Sequence, residues 1–222
     1  MDEVNPSVLV SRRNGSRATR RRIADAALLL FSTKGYTATS LQAVADEAGV
    51  HVQSIYQSYG SKPALLAAAT ELARAGDDDP EVPPAEWRWA KALIDEPDPA
   101  RQLRLYAAHV RTIAPRAGAL MAEIRNAARA DSDLAAFLAH VQAGRFLGPA
   151  GVVASIIEKG VLRRGLDATR AAETMFAVSS YESYDLLVID RGWSPETYER
   201  WLGDTLCNLL LEPEQSRGSS GK

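Results

Sequence analysis

Apolar residues along the chain recur at the three- and four-residue spacing of a single helix face, and no segment alternates as a half-buried strand requires. Ile23, Ala27, Leu30 and Phe31 follow the helical rule and predict a first helix closing at Gly35, where a C-terminal cap belongs. Thr39 is expected to start a short second helix, with its hydroxyl as cap and Gln42 completing a capping box three residues on. Val44, Ala45 and Ala48 give that helix a small inner face, and Gly49 ends it, since glycine takes the left-handed conformation cheaply. The stretch GVHVQSIYQSYGSK, residues 49–62, then reads as a third helix with Ile55 as its interior aliphatic. Val52, Gln53, Tyr56 and Gln57 form its other side. Ser61 caps a fourth helix, Pro63 is tolerated in its first turn, and Leu65, Leu66, Ala69 and Leu72 carry its apolar stripe.

Beyond Gly76, the segment DDDPEVPP has no helical future. A short helix is expected over residues 87–94. Asp98 and Pro99 then form an N-cap and first-turn pair for a helix bearing Leu103, Tyr106, Val110 and Ile113. Pro115 is expected to separate it from a helix bearing Leu120, Met121, Ile124 and Ala128. Further helices are expected over residues 131–146, 152–159, 168–190 and 195–211, the last capped by Ser194. The fold class is therefore all-α, with an N-terminal helix-turn-helix three-helix domain and a C-terminal helical domain. The expected boundaries are a disordered basic arm over 1–16, a helix-turn-helix domain over 17–62, the second domain over 63–211 and a disordered tail over 212–222. The fourth helix spans the domain junction.

In the last helix the apolar residues form two adjacent stripes, where a helix wet on one side needs one. Tyr198, Trp201, Leu202, Leu206, Leu209 and Leu210 make these stripes, and Leu186, Leu187 and Ile189 crowd the end of the helix before it. Two such helices from each of two chains would close a four-helix bundle, so a homodimer is expected. Leu186, Trp201, Leu202, Leu206 and Leu209 are its candidate interface residues.

Composition changes this picture little, because 46% apolar and 24% charged residues over 222 positions describe an ordinary globular chain. The apolar runs are all too short for a membrane span, and the N-terminus lacks the order of a signal peptide, so no membrane partner and a cytoplasmic location are expected. One cysteine, Cys207, excludes an internal disulfide framework. Charge changes it more. Residues 1–62 hold 8 Lys/Arg against 5 Asp/Glu, or +3, and the remainder holds 18 against 23, or −5. Six arginines fall between residues 12 and 22. A basic end on an acidic body is what meeting a polyanion at one end requires.

A helix over 41–48, a glycine turn and a helix over 52–58 form a helix-turn-helix arrangement. The second helix of such a pair lies in the DNA major groove, where its outward side chains meet bases and phosphates. That gives Gln53, Tyr56 and Gln57 a use: glutamine pairs bidentately with an adenine edge, and tyrosine reaches a phosphate. The run RRRIADAALLLFSTKGYTATSLQAVADEAGVHVQSIYQSYGSKPALLAA, residues 20–68, strongly resembles the DNA-binding domain of the TetR family of bacterial transcription regulators. The matching residues include Ile23, Ala27, Phe31, Gly35–Tyr36, Thr39–Ser40, Val44–Ala45, Ala48–Gly49–Val50, Ile55–Tyr56, Tyr59, Ser61–Lys62 and Leu65–Leu66. RGWSPETYERWL, residues 191–202, resembles the segment before the family's final dimerisation helix.

The resemblance implies that Thr39, Ser40 and Gln42 contact DNA at the start of the second helix. His51, Val52 and Gln53 would then approach base edges, with Tyr56 and Gln57 beside them and Lys62 on a phosphate. His51 stands where the family carries a capping Ser or Thr, and histidine caps poorly. Arg20–Arg22 are expected to begin the first helix over phosphates. The resemblance also implies a cavity for a small-molecule effector, for which Tyr106, His109, Met121, Arg125, Phe137, Met175 and Tyr181 are the candidate lining residues. His51, His109 and His140 complete no metal set, no phosphate loop follows a strand, and Cys207 lies among leucines, so neither an enzyme nor a cofactor is expected. The function implied is a sequence-specific regulator, a repressor released from a palindromic double-stranded operator by a small hydrophobic ligand. The alternative is a helical small-molecule sensor whose DNA-reading face has lapsed.

Overall fold

The computed structural model describes residues 6–213 apart from Asp77 and Glu81, with the side chains of residues 6–15 and of Ala85 outside the description. Among the described residues the helices are α1 (Pro6–Lys34), α2 (Leu41–Ala48), α3 (Val52–Tyr59), α4 (Lys62–Ala75), α5 (Arg88–Asp95), α6 (Pro99–Ala127), α7 (Ser132–Glu158), α8 (Ala168–Val178), α9 (Tyr181–Tyr184) and α10 (Pro195–Leu210). A turn of π-helix over Asp185–Asp190 continues α9. The only extended pairing among them is an isolated antiparallel bridge between Leu162 and Leu211. The fold is all-α, as the periodicity predicts.

Where a disordered arm is expected over residues 1–16, the backbone is already helical from Pro6. Residues 1–5, and residues 214–222 of the expected tail, lie outside the described residues. Glu212 is held: its N–H donates to the Val161 carbonyl at 3.1 Å, and its Oε1 accepts from the Arg164 N–H at 3.0 Å.

α6 is the central element, packed against α10, α7, α4, α5 and α1. It is one continuous helix across Pro115, not two. Proline in a helix interior costs about 3 kcal/mol or more through a lost hydrogen bond and a ring clash. Pro115 faces solvent, where water can meet the freed carbonyl. Val110, Ile113, Ala114, Ala117, Leu120, Met121 and Ile124 meanwhile keep one buried stripe in register on both sides of it. At about 1.5–3 kcal/mol for each large aliphatic buried, the stripe outweighs the break.

The helices expected over 131–146 and 152–159 likewise merge into α7 across Pro149, because Leu134, Val141, Val152, Val153 and Ile156 share one buried face. The helix expected over 168–190 does the opposite and breaks at Ser179–Ser180. Ser179 Oγ donates back to the Met175 carbonyl at 2.7 Å, and Ser180 Oγ caps α9 by accepting from the Ser183 N–H at 3.2 Å. Serine hydroxyls compete in this way with the helical ladder.

α1 to α4 form the N-terminal unit around Ile23, Ala27, Phe31, Val44, Ala45, Ile55, Leu65 and Leu66, all within 1% of complete burial. This unit rests on α6 as well as continuing into α4. Gly35, at φ 85°, ends α1 so close to α6 that an added Cβ would lie 2.9 Å from Glu123 Oε2. Any other residue there meets both backbone strain and a carboxylate.

Candidate nucleic-acid interface and effector cavity

The cap of α2 is Ser40, whose Oγ accepts from the Ala43 N–H at 3.1 Å, and not Thr39. Thr39 is only 2% exposed and donates inward to the Gly35 carbonyl at 2.8 Å, so its side chain is withdrawn from any DNA surface. The expected capping box is absent too, since Gln42 Nε2 donates to Asp46 Oδ1 at 2.8 Å. Gly49, left-handed at φ 63° and ψ 44°, closes α2, and the Val50 N–H returns to the Ala45 carbonyl at 3.0 Å. This turn sets the angle between α2 and α3.

α3 begins at His51 with no side-chain cap. Ile55 is fully buried and fixes the helix rotation, which leaves Gln53, Tyr56 and Gln57 outward. Tyr56 is 52% exposed, a large aromatic surface for a residue on a small domain. Ser40, Gln42 and His51 are exposed beside them. Val52 differs from expectation: it is half-buried and packs against the core, as a branched aliphatic on a short amphipathic helix should.

The last turn of α3 is pinned to α1. Arg20 Nη1 donates to the Ser58 carbonyl at 2.5 Å, the Tyr59 hydroxyl donates to the Arg20 carbonyl at 2.7 Å, and the guanidinium lies 4.8 Å from the Tyr59 ring centroid. Arg20 therefore orients α3. It lies well inside α1 rather than at its start, with Arg21 on Asp25 at 3.3 Å and Arg22 exposed. Lys62, half-buried at the start of α4, places its ammonium 4.4 Å from the Tyr36 ring centroid, and burial lowers its pKa.

The second candidate site is a cavity of about 70 Å³ between α4, α5, α6, α7, α8 and α9. Of the residues expected to line it, Tyr106, His109 and Tyr181 do so, and Met121 lines an adjoining cleft with Tyr181. Ser179 Oγ gives its proton to Met175, so the Tyr106 hydroxyl donates to it across 3.0 Å. Burial pushes the Tyr106 phenol up to about 12. His109 stacks on Trp89 with centroids 3.6 Å apart, and burial pulls its pKa down to about 3 against a smaller opposing pull from Asp78.

Arg125 points elsewhere and pairs with Glu182. Phe137 and Met175 are packing residues of the main core. The sequence reading overlooked Arg74, Arg145, Trp87, Trp89 and Phe176, all of which line the cavity. Arg145 had a usable signal. It stands in the inward register of α7, four residues after Val141 and four before Pro149, where an aliphatic would belong.

At the far end, Leu186 and Ile189 are 56% and 69% exposed on the π-turn, Leu209 is on the rim of α10, and Trp201 is half-buried with its ring edge toward Trp193. Leu202 and Leu206 are fully buried within their own chain, as α10 packs along α6, so neither can serve as an interface residue.

A glycine-turned helix pair with an outward polar helix, mounted on a helical body with an internal cavity, is a helix-turn-helix architecture joined to a helical domain. Residues 23–69 match the model for bacterial regulatory proteins of the tetR family. A TetR-family transcriptional regulator from Rhodococcus sp. superposes with a TM-score of 0.68 at 20% identity, covering 87% of this chain and 99% of its own. The transcriptional regulator FadR from Bacillus subtilis, in complex with stearoyl-CoA, does so with a TM-score of 0.68 at 18% identity, covering 85% and 98%. A transcriptional regulator from Saccharomonospora viridis in complex with choline gives 0.66 at 19%, covering 87% and 98%. No curated protein matches the sequence. Residues 23–69 therefore carry a TetR-family helix-turn-helix, and the chain as a whole shares the fold of these regulators. No helix among the described residues is long and apolar enough to cross a membrane.

Proposed function

We propose that this regulator binds a palindromic operator as a homodimer, with α3 of each subunit in the major groove, and that an effector in the cavity releases it as a repressor. The observation that carries the reading is the placement of α4. Its first residue, Lys62, stands three positions after the end of α3, and Arg74 in its last turn lines the cavity. At 1.5 Å per residue, the cavity acts on the DNA face through a rod of about 18 Å. An effector that fits one setting of this rod better shifts the population toward it. α1 also packs along α6, so the N-terminal unit tilts as a body.

Selection of fragmented genomic DNA by the purified protein tests the reading. Recovery of a palindrome is expected, and recovery of nothing above background, with or without cell extract, would sink it. Because α3 carries no Lys or Arg, sequence preference falls to its glutamines. Gln53→Ala is expected to relax preference at one base pair by about 1–3 kcal/mol, and Lys62→Ala to weaken all DNA alike and lower the salt slope by about one. Parallel behaviour of the two variants in a salt titration would refute this division of roles.

The exposed Leu186 and Ile189 are read as the centre of the subunit interface. Ile189→Glu is expected to shift the protein toward monomer in sedimentation velocity and to weaken operator binding with it. An unchanged dimer would place the interface elsewhere.

A further inference from the structure

The similar structures carry ligands as unlike as stearoyl-CoA and choline, so the effector's chemistry has to be read from the walls of this cavity. Those walls are aromatic: Trp87, Trp89, Tyr106, Phe176 and Tyr181 with His109. Two cations stand among them. Arg74 already has a counter-charge, since its Nη1 donates to Glu71 Oε1 at 2.7 Å. Arg145 has none among the described residues. Its guanidinium lies 3.9 Å from the Tyr181 ring centroid and 5.3 Å from that of Phe176, and Nη1 donates to the neutral Gln142 Oε1 at 3.2 Å.

A part-buried guanidinium beside two rings keeps donor capacity to spare, because π faces, one amide oxygen and the Tyr181 hydroxyl satisfy only part of a five-donor fork. A cation in such surroundings calls for an anion. The charge balance fixes how much: Arg74 and Glu71 cancel, His109 is held neutral by burial, and Arg145 leaves one net positive charge. A dianionic phosphate would be left half-compensated. A carboxylate matches both the charge and the planar fork.

We propose that the cavity takes a small planar aromatic monocarboxylate, with the carboxylate on Arg145 and the ring between the aromatic walls. This deepens the effector reading above and rests on it. The unfilled volume of about 70 Å³ is little more than two waters' share of liquid. A one-ring acid exceeds it and must lift Arg145 from Tyr181 and part α7 from α4. Its entry is therefore felt at Arg74, on the helix that follows the DNA-reading unit.

The test uses the full chain without DNA. Thermal melting and isothermal calorimetry are measured with benzoate, with 1-naphthoate and with the corresponding neutral amides. The acids are expected to raise the melting temperature and to bind at least about tenfold more tightly than their amides. Arg145→Gln is expected to abolish that difference, and Arg145→Lys, which keeps the charge but not the fork, to restore part of it. Arg125→Gln, which loses only the pairing with Glu182, is expected to bind like the parent.

Equal binding of acid and amide, undiminished acid binding by both Arg145 variants, or no binding of either acid would overturn the proposal. If Arg145→Gln fails to fold, the comparison of acid with amide on the parent and on Arg145→Lys decides. A protein that binds the acids but selects no operator would refute the regulatory reading and leave this one standing. One that selects an operator and ignores the acids would overturn this one alone.

Discussion

Phe31→Ala is expected to destabilise the protein by about 3–5 kcal/mol and to remove operator binding at physiological temperature. Phe31 is fully buried, its ring meets Tyr36 edge-on at 5.3 Å, and it sits where α1 covers α2 and α4. Truncation leaves a cavity where α1 to α4 pack on one another. A unit of this size buries a lower fraction of its surface than a large domain and has little stability in reserve. Tyr36 in turn carries the Lys62 ammonium, so the cavity opens beside the start of α4 and the DNA face. The check is urea unfolding together with a DNA-binding titration. Leu29→Ala, at a position 50% exposed on the same helix, serves as the control and is expected to cost well under 1.5 kcal/mol. Similar losses from the two substitutions would show that the ring is not the core element described.

Acidification is expected to produce the second large effect, through His109. Its folded-state pKa is pulled down to about 3 because burial against Trp89 disfavours the imidazolium, whereas the unfolded chain titrates near the ordinary histidine value of about 6.5. The unfolded state therefore binds the proton first. The stability associated with neutral His109 is complete above about pH 6.5 and is lost progressively as pH falls toward 3. Between pH 6.5 and pH 4 this one group should remove about 3 kcal/mol. His109→Phe keeps a ring against Trp89 and cannot titrate, so its unfolding midpoint should change less over that interval. Urea midpoints at several pH values for both proteins supply the comparison, and parallel curves would show that His109 is not the group responsible.

Much of the helix-turn-helix was legible in the sequence because its signals are local. Ser61 and Ser194 cap the helices they were expected to cap, accepting from the Ala64 and Thr197 N–H groups at 3.3 and 3.2 Å. Asp98 caps α6 by accepting from the Arg101 N–H at 2.8 Å. Gly49 makes the turn between α2 and α3. A cap or a left-handed turn depends on atoms within four residues, so residue type and spacing suffice to locate it. The same locality misled at Thr39 and Ser40, adjacent hydroxyls that are equally good caps by type. Only the packing of α2 under α1 turns Thr39 toward the Gly35 carbonyl and leaves the cap to Ser40. Pro115, Pro149 and the pair Ser179–Ser180 show this competition on a larger scale. The prolines are overridden by a buried stripe that stays in register, and the serines prevail because their hydroxyls find partners.

The candidate sites divide along the same line. The outward set Gln53, Tyr56 and Gln57 follows from one buried aliphatic, Ile55, and the helical period. The cavity follows from no single helix, because its wall draws on six of them. Arg125 and Arg145 are alike as residues in sequence, yet the first meets Glu182 and the second lies part-buried beside two aromatic rings. The apolar stripes of α10 show the same ambiguity, since Leu202 and Leu206 face α6 of their own chain and not a partner. The sequence by itself determined that this protein is all-helical, where its helix-turn-helix lies and that Gln53, Tyr56 and Gln57 face outward. Those properties rest on the 3.6-residue period and on caps, which are short-range. Tertiary structure alone decided that the interior prolines leave their helices continuous, which leucines remain available to a second subunit and that, among the described residues, the cavity's Arg145 has no carboxylate partner. Each of these depends on groups brought together from distant parts of the chain, and their burial sets the energy.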